Sequence, residues 1–315
     1  MAFRRGGRSV RVQRDLTSAP GVPVALTIGN FDGVHRGHQA MLARLIEAAE
    51  DLRLRPAVLT FDPHPREYFA RAEAPARLST LRSKLELFRA FGVAIAYVAR
   101  FDVRLAALSA EQFIDDVLVR GLNARWVLVG DDFRFGRGRA GDLALLRART
   151  RPFSVEGMRT IDVGEMRASS SAVRNALAAG DLVRAADLLG RSYAISGHVA
   201  HGDKLGRNLG FPTANVPLRH RPPLSGIFAV RVHGLPGGPH HGVASVGVRP
   251  TVTSANKPLL EVFLLDFDQA IYGRRITVEF LRKLRDEERY ADLDTLARKI
   301  GDDVDNAREY FAAHA

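Results

Sequence analysis

The 315-residue sequence contains no cysteine. Disulfides, thiolate metal sites and cysteine nucleophiles are thereby excluded. The absence fits a reducing compartment, and the cytoplasm is the expected location. No apolar run reaches about 18 residues, so no membrane span is expected. Met1–Arg14 carries five arginines and no acidic residue, with no apolar stretch after it. It is read as a frayed, solvated tail, not as a secretory signal. Aromatic residues are only 8% of the chain, and no basic repeat interleaves with them. Neither nucleic acid nor membrane is therefore expected as a partner. Internal repeats and low-complexity blocks are missing too.

What is present is an ordinary globular composition, 46% hydrophobic and 26% charged, long enough for two cores. A net charge of +11 attracts anions, and nucleotide polyphosphates suffice as such partners. A monomer or weak homo-oligomer is expected.

The first half alternates strands and helices. Residues 24–29, 57–61, 93–98 and 126–129 read as short apolar strands. Residues 38–52 read as a helix, with Leu42, Leu45, Ile46 and Ala49 on one stripe. A second helix is predicted over 79–91, with Leu81, Leu85 and Phe88 on one face and Gly92 as its stop. A third begins at Ser109, where Gln112 completes a capping box. This rhythm predicts a Rossmann-like α/β domain with a doubly wound parallel sheet. Short helices over 169–179 and 182–189 close the half. Beyond Gly190 the strands 193–199, 227–232, 243–248, 259–265 and 276–281 follow one another across Gly- and Pro-rich turns. That pattern predicts an antiparallel β-barrel, closed by an amphipathic helix over 293–311. The domain boundary is placed at 186/187.

The first dense motif is Gly29-Asn30-Phe31-Asp32-Gly33-Val34-His35-Arg36-Gly37-His38. It follows the first predicted strand and opens the first helix, where α/β sheets bind nucleotides. Glycines let backbone approach phosphate, and helix amides attract it. His35 and His38 have other readings, as metal ligands or as caps of a turn. Ser169-Ser170-Ser171, with Arg174 one turn on, places hydroxyls and a cation on one helix face. Alone, it also reads as a plain Ser cap beside a solvated Arg.

In this context the chain resembles the HxGH nucleotidyltransferase superfamily. The fuller string resembles its FMN adenylyltransferase branch, the N-terminal half of prokaryotic bifunctional riboflavin kinase/FAD synthetases. Thr60-Phe61-Asp62-Pro63-His64-Pro65 and the block 129–136 extend the match, and Ser171 stands where the family usually has Thr. The resemblance implies that FMN displaces diphosphate from the α-phosphate of ATP, with Mg²⁺ and no covalent enzyme intermediate. His35, His38 and Arg174 would be catalytic. Gly29, Asn30, Phe31, Asp32, Gly33 and Gly37, with Ser169, Ser170 and Ser171, would bind the nucleotide. Phe61, Asp62 and His64, with Asp132, Phe133 and Phe135, would face the flavin.

The second dense motif runs from His201 to Asn215 and ends in Pro212-Thr213-Ala214-Asn215. Its glycines and cations suit a triphosphate. Thr213 and Asn215 alternate along an extended segment, so their oxygens point to one side, a donor pair that Mg²⁺ favours. The block resembles the riboflavin kinase signature, as does Leu284-Arg285-Asp286-Glu287-Glu288-Arg289-Tyr290, where the family more often has Lys-Phe at 289–290. Gly202, Lys204, Gly206, Arg207 and Gly210 would then bind ATP, Thr213 and Asn215 the metal, and Arg285 and Tyr290 the flavin. Glu261 is the lone acid in 259–265, on a face shared with Phe263 and Leu265. By pattern it reads as an edge-strand Glu facing water, whereas by resemblance it is the base that takes riboflavin's terminal ribityl proton. Riboflavin, FMN and ATP are thus the expected substrates and FAD the final product. A nucleotidyltransferase acting on another phosphate shares the HxGH loop but leaves the second half unexplained. A basic RNA-binding module, or a class I tRNA synthetase, is the alternative from a different class.

Overall fold

The computed structural model describes residues 9–16, 21–70, 73–149, 152–159, 161–164, 166–202, 210–249 and 257–314. The chain divides into two compact units, Met1–Pro75 with Ser79–Ser169, and Ala76–Leu78 with Ser170–Ala315.

In the first unit β1 (Arg11–Gln13), β2 (Val24–Ile28), β3 (Arg55–Phe61), β4 (Ile95–Ala99), β5 (Ala124–Gly130) and β6 (Ser154–Met158) form one parallel sheet. Its order is β1-β4-β3-β2-β5-β6. The strand sequence reverses direction at β2, which has β3 on one side and β5 on the other, so this is the doubly wound arrangement with its switch point there. Every residue of β2 and β4 is buried, because both sheet faces are covered. Leu26, Leu59, Val127 and Ile114 fill one face, and Ala25, Val58, Leu128 and Phe88 the other.

The helices α1 (Arg36–Asp51), α2 (Pro65–Phe69), α3 (Leu81–Ala90), α4 (Val103–Ala107), α5 (Ala110–Gln112) and α6 (Leu143–Ala148) lie between these strands. After α5 the chain runs on as π-helical Phe113–Gly121. The capping box at Ser109 and Gln112 forms as expected. The first helix starts at Arg36 rather than at residue 38, with His35 at its N-cap. The N-terminal segment needs a larger correction. Arg11–Gln13 is a strand paired with β4, anchored by the Arg11 amide donating to the Ala94 carbonyl at 2.9 Å. Residues 1–8 of the expected tail lie outside the described residues.

A hairpin of β7 (Asp162–Val163) and β8 (Met166–Arg167) ends the first unit. The second opens with α7 (Ser170–Ala178) and α8 (Leu182–Leu189), which stops at Gly190 in a left-handed cap (φ +69°). Then come β9 (Ala194–His198), β10 (Thr213–Pro217), β11 (Gly226–His233), β12 (His240–Arg249), β13 (Lys257–Leu264), β14 (Arg275–Arg285) and α9 (Leu293–Ala312). The six strands are antiparallel in the order β10-β13-β12-β11-β14-β9. The Ala200 amide donates to the Asn215 carbonyl at 2.8 Å and brings the two ends of the sheet together. The result is a nearly closed barrel. Phe228, Val230, Ala244, Leu260, Val262 and Phe280 are buried on one face of the wall. Ile227, Ala229 and Val243 on the other face pack against Ala307 and Phe311 of α9.

Candidate functional sites

The first candidate site is the loop that leaves the carboxyl end of β2. Two of its residues adopt left-handed backbone, Phe31 at φ +50° and Val34 at φ +43°. For a β-branched residue such as Val34 this conformation costs about 1–3 kcal/mol and must be held by its surroundings. Phe31 is fully buried, edge-on to Phe88 at 5.4 Å and tilted over His38 at 4.9 Å. Asp32, also buried, accepts hydrogen bonds from the Ser79 amide and hydroxyl, both at 3.1 Å, and Ser79 Oγ accepts from the Gly33 amide at 3.0 Å. Asp32 thus ties the loop to the start of α3. A Cβ at Gly37 would stand 3.2 Å from both the Ala168 carbonyl and His35 Nδ1, so only glycine admits this approach without displacement. A Cβ at Gly29 would likewise press on the Phe31 ring at 3.2 Å.

This packing stacks the His35 and His38 rings, with centroids 3.7 Å apart. The His38 imidazole is held well below its ordinary pKa, first by burial, then by His35 and by the Lys84 ammonium. It is therefore neutral at neutral pH and can offer an N–H to an anionic oxygen. His38 Nδ1 and Asn30 Oδ1 are buried without a hydrogen-bond partner among the described residues. Buried polar atoms without a protein partner in one loop are open to water or to a polar ligand.

The residues expected on the flavin side fall into two groups. Phe61 meets Phe101 edge-on at 5.8 Å, and Tyr68 and Phe69 complete an aromatic cluster around Phe101. Phe69 is 69% exposed. His64 caps α2, its Nδ1 accepting from the Arg66 amide at 3.1 Å, and Asp62 precedes it across a cis peptide to Pro63. In the other group Phe133 stacks on Phe135 at 5.5 Å, and Phe135 reaches into the core against Phe113. Asp132 is exposed and paired with Arg167 at 2.6 Å.

Ser169 stands immediately before α7, which Ser170 and Ser171 open. Arg174 lies one turn on, its Nε donating to the Ala76 carbonyl at 2.6 Å.

The second candidate site is a polar row across the barrel wall. Asn215 of β10 is the register partner of Glu261 on β13, and Glu261 is the partner of Ser245 on β12. Directly opposed residues point to the same face, so the three side chains stand side by side. β13 is paired on both sides, which corrects the edge-strand reading of Glu261. Leu265 lies beyond the end of that strand. Asn215 Oδ1 is buried without a hydrogen-bond partner among the described residues, and a Cβ at Gly202 would overlap the Asn215 side chain at 2.4–2.7 Å. Gly210 adopts φ +85°. Lys204, Gly206 and Arg207 lie outside the described residues.

Glu287 adds a second carboxylate to this row. It accepts from Ser245 Oγ at 3.0 Å and lies against Gly247, where any Cβ would collide with it. Desolvation pushes its pKa up, and the charge of Glu261 does so further. Arg285 is clamped by Asp303 of α9, with Nε–Oδ1 2.8 Å and Nη2–Oδ2 2.7 Å. Tyr290 lies 5.8 Å from its guanidinium.

Known families match both halves of this arrangement. A family model for FAD synthetase covers residues 20–172, and one for riboflavin kinase covers 189–311. The bifunctional riboflavin kinase/FMN adenylyltransferase of Escherichia coli K12 is 48% identical over 305 residues, spanning 96% of this chain and 97% of its own. This chain belongs to the bifunctional riboflavin kinase/FMN adenylyltransferase family. The Pseudomonas fluorescens member is also 48% identical, over 92% of this chain and 93% of its own. A crystal structure of a macrolide-efflux protein from Streptococcus pneumoniae shares the fold, with TM-score 0.79 and 26% identity over 95% of this chain and 98% of that one. Among the described residues no helix is long and apolar enough to cross a membrane. Against this family background, two features escaped the sequence motifs, the Tyr68–Phe69–Phe101 cluster and Lys84, while Glu287 stood in the 284–290 block with no role assigned to it. Only Lys84 left a signal, as a cation on the apolar stripe of α3 at i+3 from Leu81 and i+4 before Phe88.

Proposed function

We infer that this chain makes FAD from riboflavin in two ATP-dependent steps, one in each half. The barrel half, 187–315, transfers the γ-phosphoryl of ATP to riboflavin, giving FMN and ADP. The α/β half, 1–186, then joins FMN to the adenylyl group of ATP, giving FAD and diphosphate. Matches to one family for each activity, divided between residues 172 and 189, support this assignment.

In the kinase step Glu261 is the base. Its carboxylate takes the proton of the terminal ribityl hydroxyl as that oxygen attacks the γ-phosphorus, and the bond to ADP breaks. The residues present fit Mg²⁺: Asn215 Oδ1 is an orphan hard-oxygen donor, with Thr213 two residues away on the same strand. Bound there with ATP, the metal would neutralise phosphate charge. Gly202, Lys204, Gly206, Arg207 and Gly210 are the residues that bind the triphosphate. Tyr290 offers an aromatic face to the flavin, with Arg285 beneath it.

In the adenylyl step a phosphate oxygen of FMN attacks the α-phosphorus of ATP, and diphosphate leaves. His35 and His38 donate N–H groups to the oxygens that gain charge, with Arg174 and the 169–171 hydroxyls on the departing diphosphate. The aromatic cluster at Phe61 faces the isoalloxazine ring. The observation that carries the reading is the pair of stacked imidazoles at the carboxyl end of β2, with the His38 ring held neutral. The protein is expected to act in the cytoplasm, as a monomer or weak homo-oligomer, without nucleic acid.

The test is incubation with riboflavin, ATP and Mg²⁺, followed by chromatography. FMN should form first and FAD from it. Failure to form either product would refute the reading.

A further inference from the structure

Lys84 is a buried cation with no place in the reactions as written. It lies on α3, 8% exposed, beneath the loop that carries His35 and His38. Lysine is rarely buried, because desolvating an ammonium carries a penalty of several kcal/mol. A neutral apolar residue at i+3 from Leu81 would extend the stripe that α3 already presents. The surroundings show what the cation does. Lys84 Nζ donates to the Asn30 carbonyl at 2.6 Å and lies 3.4 Å from Thr60 Oγ1, which itself donates to the same carbonyl at 3.2 Å. Asn30 is the last residue before the left-handed turn at Phe31 and Val34.

We propose that Lys84 is a positioning residue for adenylyl transfer, its buried ammonium clamping the Asn30 carbonyl so that the strained turn presents His35 and His38. The inference rests on the reading of those histidines as the groups that act on the transferring phosphoryl. Three facts join in it. The turn is strained and needs a partner that outweighs the strain. The clamp is charge-assisted and short, which makes it the stronger kind of hydrogen bond. The same charge acts on His38 and helps keep that ring neutral, with a single N–H to donate. Among the described residues of this unit, the titratable groups that act on His38 are His35 from the loop and Lys84 from α3, and the neighbouring Asp32 is engaged by Ser79.

The test compares Lys84→Met, Lys84→Gln and Lys84→Arg with the native protein in three measurements. The first is kcat and KM for FAD formation from supplied FMN. The second is riboflavin phosphorylation by the same preparation, which reports that the protein is folded. The third is the NMR titration of the His38 ring. Lys84→Met should lower kcat for FAD about 10-fold or more with KM changed far less, because small displacements of reacting groups are felt mainly in the turnover step. His38 should titrate at higher pH, since a positive neighbour has been removed. Lys84→Arg should restore most of both effects, and phosphorylation should not change. If Lys84→Met does not fold, Lys84→Gln carries the same expectation, because it keeps a donor but not the charge. Normal FAD turnover in Lys84→Met, or a loss shared equally by Met and Arg with His38 unmoved, overturns the proposal. A His38→Ala protein that still forms FAD normally overturns the underlying reading instead.

Discussion

Asn215 and Glu261 are opposite each other on β10 and β13, so an amide and a carboxylate stand side by side on one face of the barrel. Ser245 extends the row on the other flank of Glu261. Under the proposed chemistry, this carboxylate in an internal strand, between two polar neighbours, is the one that meets the substrate hydroxyl.

Glu261→Gln keeps shape and hydrogen-bonding reach but cannot take a proton. Riboflavin phosphorylation should fall by about 10²–10⁴-fold in kcat, with riboflavin affinity little changed. Steady-state kinetics on riboflavin and on FMN check this, since FAD formation from FMN should be normal. Normal phosphorylation would remove Glu261 from the mechanism.

The imidazole of His38 gives a stability prediction. Its folded pKa lies well below the ordinary 6.5. As pH falls through 6.5 the unfolded chain takes up a proton that the folded ring refuses, so stability declines with falling pH between these two values. Above 6.5 the group contributes nothing to the slope. Urea melts of the native protein between about pH 7.5 and 5.5 should show this decline, and His38→Gln should flatten it. Equal slopes would mean that the ring is not held neutral.

Most of this architecture is legible in the sequence, and the exceptions have physical causes. Strands β2 to β5 are apolar because helices cover both faces, so their runs stand out. β1 has only Val12 as an apolar residue and lies at the sheet edge, where no second face needs burial. β6 carries Glu156 and Gly157, and Glu156 makes a bidentate pair with Arg44 of α1 at 2.8 Å, which no periodicity reveals. The candidate-site motifs announce themselves through residue order, because glycine, histidine and hydroxyl spacing are local. The partners that hold them are not local. Lys84 is 54 residues from Asn30, and Asp303 is 18 from Arg285 on another element.

That last pair predicts a stability effect. Asp303 has a side chain only 5% exposed, and Arg285 one that is 23% exposed. Removing one partner strands the other charge near the core, so Asp303→Ala should destabilise the barrel unit by about 3 kcal/mol. Denaturant melts followed by circular dichroism would measure it. A change under about 0.5 kcal/mol would mean that α9 is held by its apolar face alone.

The central claim is that one chain carries both steps, each in its own half, with FMN the product of the first and the substrate of the second. The most direct test mixes His38→Ala protein with Glu261→Gln protein in riboflavin, ATP and Mg²⁺. Alone, the first should stop at FMN and the second should form neither product beyond trace. Mixed, they should make FAD, because FMN released by one is consumed by the other. Mixing that fails to restore FAD, although Glu261→Gln converts supplied FMN normally, would contradict the account.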